Sequence, residues 1–465
     1  MSGGPETGRG LATALECSAC GFRLPDDAPL ALSCPAARPG DDVDHLLLRV
    51  MGPQAASVTE GEADDDPNPF VRWRSRFHAY YRARAAGWSD ERYVDLVRRL
   101  DAAVAAVDGG GFRVTPFARS DALSDALGFS PTAGVWVKDE TGNVSGSHKA
   151  RHLFGTLLEL EVEAALGAED ADRAPQLAIA SCGNAALAAA VVARAAKRPL
   201  RVFIPPDADP VVVARLDALG AQCRVCPREP GVPGDPTYLA LLDAVAEGAV
   251  PFTCQGNLNG LAIEGGETLG WELAGAVSGP GGPERLDHVV VQVGGGALLS
   301  SVARGLRTDL ADPPAIHAVQ PASVHPLARA FERVRARVAL GEPPDEVLRD
   351  AATHRSSFMW PWEREPHSVA HGILDDETYD WRACVEAMLA TGGGPLVVSE
   401  QLLGRAHDLA HATTGIDADH TGTAGLAGLL DLLDFRAVRP DDTVAVLFTG
   451  ATRRPQPTHL TSGAH

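Results

Sequence analysis

Lys149 follows the polar turn Gly142-Asn-Val-Ser-Gly-Ser-His148, which itself follows the apolar run Val135-Trp-Val, so a lysine opens a helix just past a strand end. A primary amine so placed can form a Schiff base with a carbonyl. Surface lysines are protonated and poor nucleophiles, so this chemistry needs a partly desolvated setting or a cationic neighbour. A solvated lysine in a first helical turn is the commoner situation, and Lys149 alone decides nothing.

Two further strand, turn and helix segments change the balance. In Leu177-Ala-Ile-Ala-Ser181-Cys182-Gly183-Asn184-Ala185, an apolar strand runs through a small polar turn into an Ala-rich helix. Such a turn offers several backbone N–H groups at a helix start, which suits a carboxylate, and the Asn184 amide can donate to an oxyanion. In His288-Val-Val-Val-Gln-Val-Gly294-Gly295-Gly296-Ala297, a strand ends in three glycines that let the backbone wrap an anion closely, as a phosphate cradle does. The spacing is not G-x-G-x-x-G and no acid stands suitably at the end of a following strand, which argues against a dinucleotide site.

With these motifs the chain resembles the fold-type II pyridoxal-phosphate enzymes (the tryptophan synthase beta superfamily), most of all threonine synthase, then the serine and threonine dehydratases and cysteine synthase. The resemblance covers roughly residues 110 to 450. It implies that Lys149, in Gly146-Ser147-His148-Lys149, holds the aldehyde of pyridoxal 5'-phosphate. It places the cofactor phosphate at Gly294, Gly295, Gly296 and Ala297, where relatives carry a fourth glycine. The substrate carboxylate and the cofactor's 3-oxygen fall to Ser147, Ser181, Cys182, Gly183, Asn184 and Ala185, and the pyridine nitrogen to Thr449 in Leu447-Phe-Thr449-Gly450. A neutral hydroxyl there, instead of a carboxylate, makes a milder electron sink that suits elimination and replacement at the β or γ carbon. Ile263-Glu264-Gly-Gly-Glu-Thr268 also fits the threonine synthase branch.

The chain departs from the family at several positions. Lys149-Ala150-Arg151-His152 stands where relatives have Lys-Asp-Arg-Gly, and His371 stands near the place of another acid. His148 and His371 are readable as acid or base groups or as ordinary packed histidines. Cys182 reads as a small apolar loop residue. Ser145, Ser147, Arg151 and Arg119 are candidate donors to a substrate phosphate, should the reaction need one.

The N-terminal region carries Cys17-Ser-Ala-Cys20, then Cys34 and His45. Three cysteines at such spacing suggest a zinc ribbon. Relatives open with two cysteine pairs, but the partner of Cys34 has become Ala37, so either His45 completes a structural zinc site or the site has decayed.

A formal charge of −20, from 61 acidic residues against 41 Lys and Arg, argues against nucleic acid or an anionic membrane as partner. With no signal-like start and no long uncharged apolar stretch, the chain reads as cytoplasmic, its eight cysteines mostly reduced. Apolar runs alternating with helical patterns predict an α/β architecture with mainly parallel sheets. The expected layout is a zinc-ribbon-like segment 1–51, an acidic linker 52–69, a large cofactor-binding domain 70–148 with 261–450, a small α/β domain 149–260 and a mobile tail 451–465. The expected assembly is a homodimer acting on a small amino acid. The expected reaction is threonine synthase-like or dehydratase-like elimination or replacement, with a cysteine synthase type of β-replacement as one alternative. The other is a cofactor-binding protein without turnover that serves as an interaction module.

Overall fold

The computed structural model describes residues 12–52, 65–167, 175–229, 231–232 and 234–453. Most of the acidic linker and the tail beyond residue 453 lie outside the described residues.

The strands are β1 (Thr13–Cys17), β2 (Leu47–Met51), β3 (Phe117–Arg119), β4 (Gly134–Asp139), β5 (Leu177–Ala180), β6 (Leu200–Ile204), β7 (Gln222–Val225), β8 (Val250–Pro251), β9 (His288–Gln292), β10 (Ala315–Pro321), β11 (Pro395–Val398) and β12 (Thr443–Phe448). They form an antiparallel hairpin β1-β2, a six-stranded sheet ordered β11-β10-β9-β12-β4-β3 and a four-stranded sheet ordered β7-β6-β5-β8. All neighbours in the two larger sheets are parallel except β3 with β4. Strand β12 is buried at every position and β9 at all but its first, which is why both read as unbroken apolar runs rather than alternating ones.

Each segment singled out by its chemistry begins a helix at the carboxyl end of a parallel strand: Lys149–Leu166 after β4, Asn184–Ala195 after β5 and Ala297–Asp309 after β9. Ligands of open α/β sheets bind at such strand ends. Glycine pairs set the helix spacing. A Cβ on Gly155 would come within 2.7 Å of Gly265 Cα, and one on Gly270 within 2.7 Å of Gly305 Cα. The helix Leu261–Ala276 is thus pressed between Lys149–Leu166 and Ala297–Asp309, and any side chain at these crossings would push the helices apart. This gives the Glu264-Gly-Gly-Glu stretch a packing role. Its acids also dock the N-terminal hairpin: Arg49 of β2 pairs with Glu264 and Glu267, and Arg304 Nε binds Glu267 at 2.9 Å.

Candidate functional site

The turn before Lys149 is tightly wound. Ser145 and Gly146 both adopt left-handed backbone, at φ 60° and 70°. A left-handed non-glycine residue is costly and clusters at functional sites. The Asp108 carboxylate stabilises it by accepting from Ser145 N–H at 2.7 Å. Ser147 then bridges antiparallel to Gly450, and Ala451 N–H donates to Gly146 O at 2.8 Å. The lysine turn is therefore joined directly to the turn that carries Thr449. The Ser147 hydroxyl is buried with no partner among the described residues, so it is available to a ligand.

Thr449 has a neighbour that the sequence reading did not single out. Gln292, the last residue of β9, donates from Nε2 to Gly422 O at 3.1 Å, to Leu447 O at 3.2 Å and to Thr449 Oγ1 at 2.6 Å. Two carbonyl acceptors fix the amide orientation, since the flipped form would set oxygen against oxygen. The Thr449 hydroxyl accepts from Gln292, so its own proton is free to point at an acceptor such as a ring nitrogen. A polar residue closing the run Val-Val-Val-Gln in a buried strand was the available sequence signal.

His148 Nδ1 faces Thr449 O at 3.4 Å, and its Nε2 is buried without a partner. Burial, followed by the nearby Lys149 charge, holds its pKa well below the usual histidine range. A neutral ring with a bare Nε2 is an acceptor and not an acid. His152 is buried and neutral too, its pKa lowered to about 3 by burial and then by Lys149, with Nδ1 on Ala262 O at 2.7 Å. It fills the space beside Gly266, where a Cβ would meet its ring at 2.2 Å. His371 lies exposed in the short turn His371–Ile373.

The glycine loop offers a cradle of donors. Its carbonyls are taken: Thr378 Oγ1 donates to Gly294 O at 3.0 Å, Asp380 N–H to Gly295 O at 3.0 Å and Cys384 Sγ to Gly296 O at 3.5 Å. None of the N–H groups of residues 294–297 has a backbone acceptor among the described residues. Gly296 is left-handed at φ 96°, and a Cβ on Gly294 or Gly296 would strike Asp375 or Thr378. These features fit a bound phosphate at a helix start. Nothing in the motif reading pointed to the segment from Ile373 to Cys384 that shapes the loop.

Across the site, Gly183 N–H donates to Ser181 Oγ at 3.4 Å, and the Asn184 amide sits between Gly450 and Arg453, whose Nη2 donates to Asn184 Oδ1. Ala451 and Arg453, at the start of the expected tail, thus contact the site. Burial raises the Cys182 pKa, in keeping with a small apolar loop residue rather than a thiolate nucleophile. Ala185 lies beside it in the first turn of the helix Asn184–Ala195.

Arg151 overturns an expectation. It is fully buried, with Nε on Glu140 Oε2 at 2.9 Å and Nη1 on Glu272 Oε1 at 2.5 Å, while Lys138 also pairs with Glu272. Two cations and two carboxylates cancel within the core, so Arg151 is not offered to a substrate phosphate. Asn143 Nδ2 links this group to the lysine turn, donating to Glu140 Oε2 at 3.1 Å and to Ser147 O at 3.0 Å. Arg119, the other proposed cation, binds Ala133 O and Asp121 on the edge strand β3.

Near the hairpin, Cys17, Cys20, Cys34 and His45 present ligand atoms all within 4.8 Å of one another. Cys20 Sγ and Cys34 Sγ are 3.7 Å apart, too long for a disulfide. The separation matches the edge of a tetrahedron with a metal about 2.3 Å from each sulfur. Burial opposes the Cys17 thiolate, but backbone N–H groups at Cys20 and Ala19 and the His45 ring outweigh it and lower its pKa. Cys34 moves the other way, raised by burial and by Cys17. His45 Nδ1 faces Cys17 Sγ at 3.5 Å while Nε2 meets Asp41 at 3.2 Å, the carboxylate-backed arrangement typical of a metal-bound imidazole.

Known proteins share part of this sequence and its fold. A region 30% identical to phenylserine dehydratase from Ralstonia pickettii covers 49% of this chain and 64% of that protein. The match to threonine synthase from Methanosarcina acetivorans is 25% identical over 72% of this chain and 74% of that one. The fold superposes on the processed form of threonine deaminase isoform 2 from Solanum lycopersicum with a TM-score of 0.56 and 16% identity, covering 79% of this chain and 91% of the other. Residues 109–450 match the family described as pyridoxal-phosphate dependent enzyme, a span that holds the lysine turn, the glycine loop and Thr449 together, and the chain belongs to that family.

Proposed function

We propose that this enzyme eliminates a β-substituent from a small L-amino acid, converting a β-hydroxy amino acid to a 2-oxo acid and ammonia. The observation that carries this reading is the Thr449 hydroxyl, held as an acceptor by Gln292 and so able to donate to a ring nitrogen without protonating it. When bound, pyridoxal phosphate supplies an electron sink that acidifies the α-proton of an amino acid joined to it. Lys149 would hold the cofactor through its amine and would move the proton at the substrate Cα. Ser147, Ser181, Cys182, Gly183, Asn184 and Ala185 orient the substrate carboxylate and the 3-oxygen, Gly294 to Ala297 hold the phosphate, and His148 Nε2 accepts a hydrogen bond. Engagement of Arg151 in the core favours this reading over chemistry on a phosphorylated substrate. The relative named as a phenylserine dehydratase supports it, and the proposed large and small domains would each be built on one of the two larger sheets.

The test is to add L-serine, L-threonine, O-acetylserine and O-phosphohomoserine separately to the holoenzyme and assay 2-oxo acid and ammonia. Release from L-serine or L-threonine is expected. Phosphate release from O-phosphohomoserine alone would replace this reading with threonine synthase chemistry, and consumption of O-acetylserine only with an added thiol would mean β-replacement.

We further propose that Cys17, Cys20, Cys34 and His45 bind a structural zinc ion. Three thiolates and an imidazole close a tetrahedron and leave no open position for catalysis. Metal analysis should find about one equivalent of zinc in the wild type and little in Cys17→Ser. A wild-type protein prepared with zinc present that retains no metal removes the assignment.

A further inference from the structure

Asp375 lies against the glycine loop that is assigned to the cofactor phosphate, and its carboxylate is the feature of the site least suited to an anion. Its Oδ2 stands 2.2 Å from where a Gly294 Cβ would be, and its Oδ1 is 3.8 Å from the same point on Gly295. The Gly295 N–H, one of the cradle's donors, is among the groups near this carboxylate that favour its charge. Lys149 and Gly295 face Asp375 as groups that favour its charge, whereas Asp376 and Asp235 oppose it, and Tyr379 and Cys254 border it.

We propose that Asp375 is an internal competitor for the glycine loop, its carboxylate resting against Gly294 and Gly295 until a phosphate group displaces it. Two anions cannot share these donors. The phosphate enters when Asp375 takes up a proton or its carboxylate withdraws, so affinity for a phosphorylated cofactor is linked to the charge on this side chain. The inference rests on the placement of the cofactor phosphate at residues 294–297.

Enclosure by the surrounding atoms raises the Asp375 pKa to about 6 despite Lys149, so the competition is pH-dependent in the neutral range. Below that pKa the carboxyl is neutral and competes weakly, and above it the anion holds the loop. Binding of the phosphate therefore draws a proton from solution, and wild-type affinity relative to a variant without the charge must fall as pH rises. The second ionisation of the phosphate changes affinity in the opposite sense, but equally in both proteins, and cancels in the ratio.

The experiment compares apoenzyme and its Asp375→Asn and Asp375→Ala variants, with dissociation constants for pyridoxal phosphate and for pyridoxal, which lacks the phosphate, measured by equilibrium dialysis at pH 5 and pH 8. At pH 8 both variants should bind pyridoxal phosphate about tenfold more tightly than wild type. At pH 5 the difference should shrink toward none, and for pyridoxal it should be absent at both values. Equal or weaker binding of pyridoxal phosphate by both variants at pH 8 overturns the proposal, as does the same gain for pyridoxal. If none of the three proteins binds pyridoxal phosphate more tightly than pyridoxal, the placement of the phosphate at the loop fails, and this inference fails with it.

Discussion

Replacing Lys149 by Ala will lower turnover by roughly 10³-fold or more, because no other amine in the site can take over both the bond to the cofactor and proton transfer at Cα. The fold should survive. Lys149 is only partly buried, and its helix is held by neighbours that the substitution leaves alone: Arg151 in its charge cluster, His152 on Ala262 O and the Gly155–Gly265 crossing. The decisive measurement is borohydride reduction of the holoenzyme followed by peptide mapping. In the wild type the reduced cofactor should be attached to the peptide containing Lys149, and in the variant no such adduct should form. A variant that still carries reducibly linked cofactor would end the assignment. Lys149→Arg keeps a positive charge near His148 and His152, so equal loss of activity in both variants would show that the amine, and not the charge, is required.

Arg151→Met is expected to be the most destabilising single change near the site, by about 3–5 kcal/mol, because it strands a buried carboxylate instead of removing a balanced pair. Glu140, Glu272, Lys138 and Arg151 are all excluded from solvent, and without the guanidinium one negative charge is uncompensated. In the native protein burial acts against the Glu272 charge, but Arg151 and then Lys138 lower its pKa. Removing Arg151 reverses that balance. A carboxylate whose folded pKa rises above its unfolded value binds its proton more tightly when folded, so the deficit should be small in acid and grow as pH rises toward 7. Adding Glu140→Gln to Arg151→Met restores charge neutrality and should recover much of the loss, a coupling that thermal melts of both single variants and the double variant would quantify. A single variant with unchanged stability at pH 7 would show that the cluster contributes nothing.

The groups that were legible in the sequence are those whose role depends on local chain geometry. A lysine, an Asn-bearing turn and a triple glycine each sit just after an apolar strand, so element type and position could be read together, and each does open a helix at a strand end. Thr449 was reached through resemblance. What escaped depends on tertiary contact. Gln292 acts on Thr449 from a strand 157 residues earlier, and Asp375 reaches the glycine loop from a segment whose sequence, Leu-Asp-Asp-Glu-Thr, looks like an ordinary acidic loop. Arg151 was misread as a possible substrate ligand for the same reason. A cation two residues beyond the reactive lysine invites a functional role, and only its burial between Glu140 and Glu272 reveals a structural one. The cysteine cluster is an intermediate case. Spacing suggested the three thiols, while only the folded arrangement brings His45 within 4.8 Å of them.

Strand β12 lies between β9 and β4 although it comes last of the twelve strands among the described residues. During synthesis, β9 and β4 must therefore emerge and wait, each with a row of unsatisfied backbone groups where β12 will later insert. The closing contact spans more than 300 residues between β4 and β12, which makes assembly slow and exposes the waiting edges to other chains. Because β12 leads directly into Thr449 and Gly450, the same insertion that seals the sheet brings the hydroxyl to the lysine turn. A nascent chain cannot form the site early and retain cofactor on an unfinished scaffold. Closure of the sheet and completion of the site are thus one event, the insertion of β12.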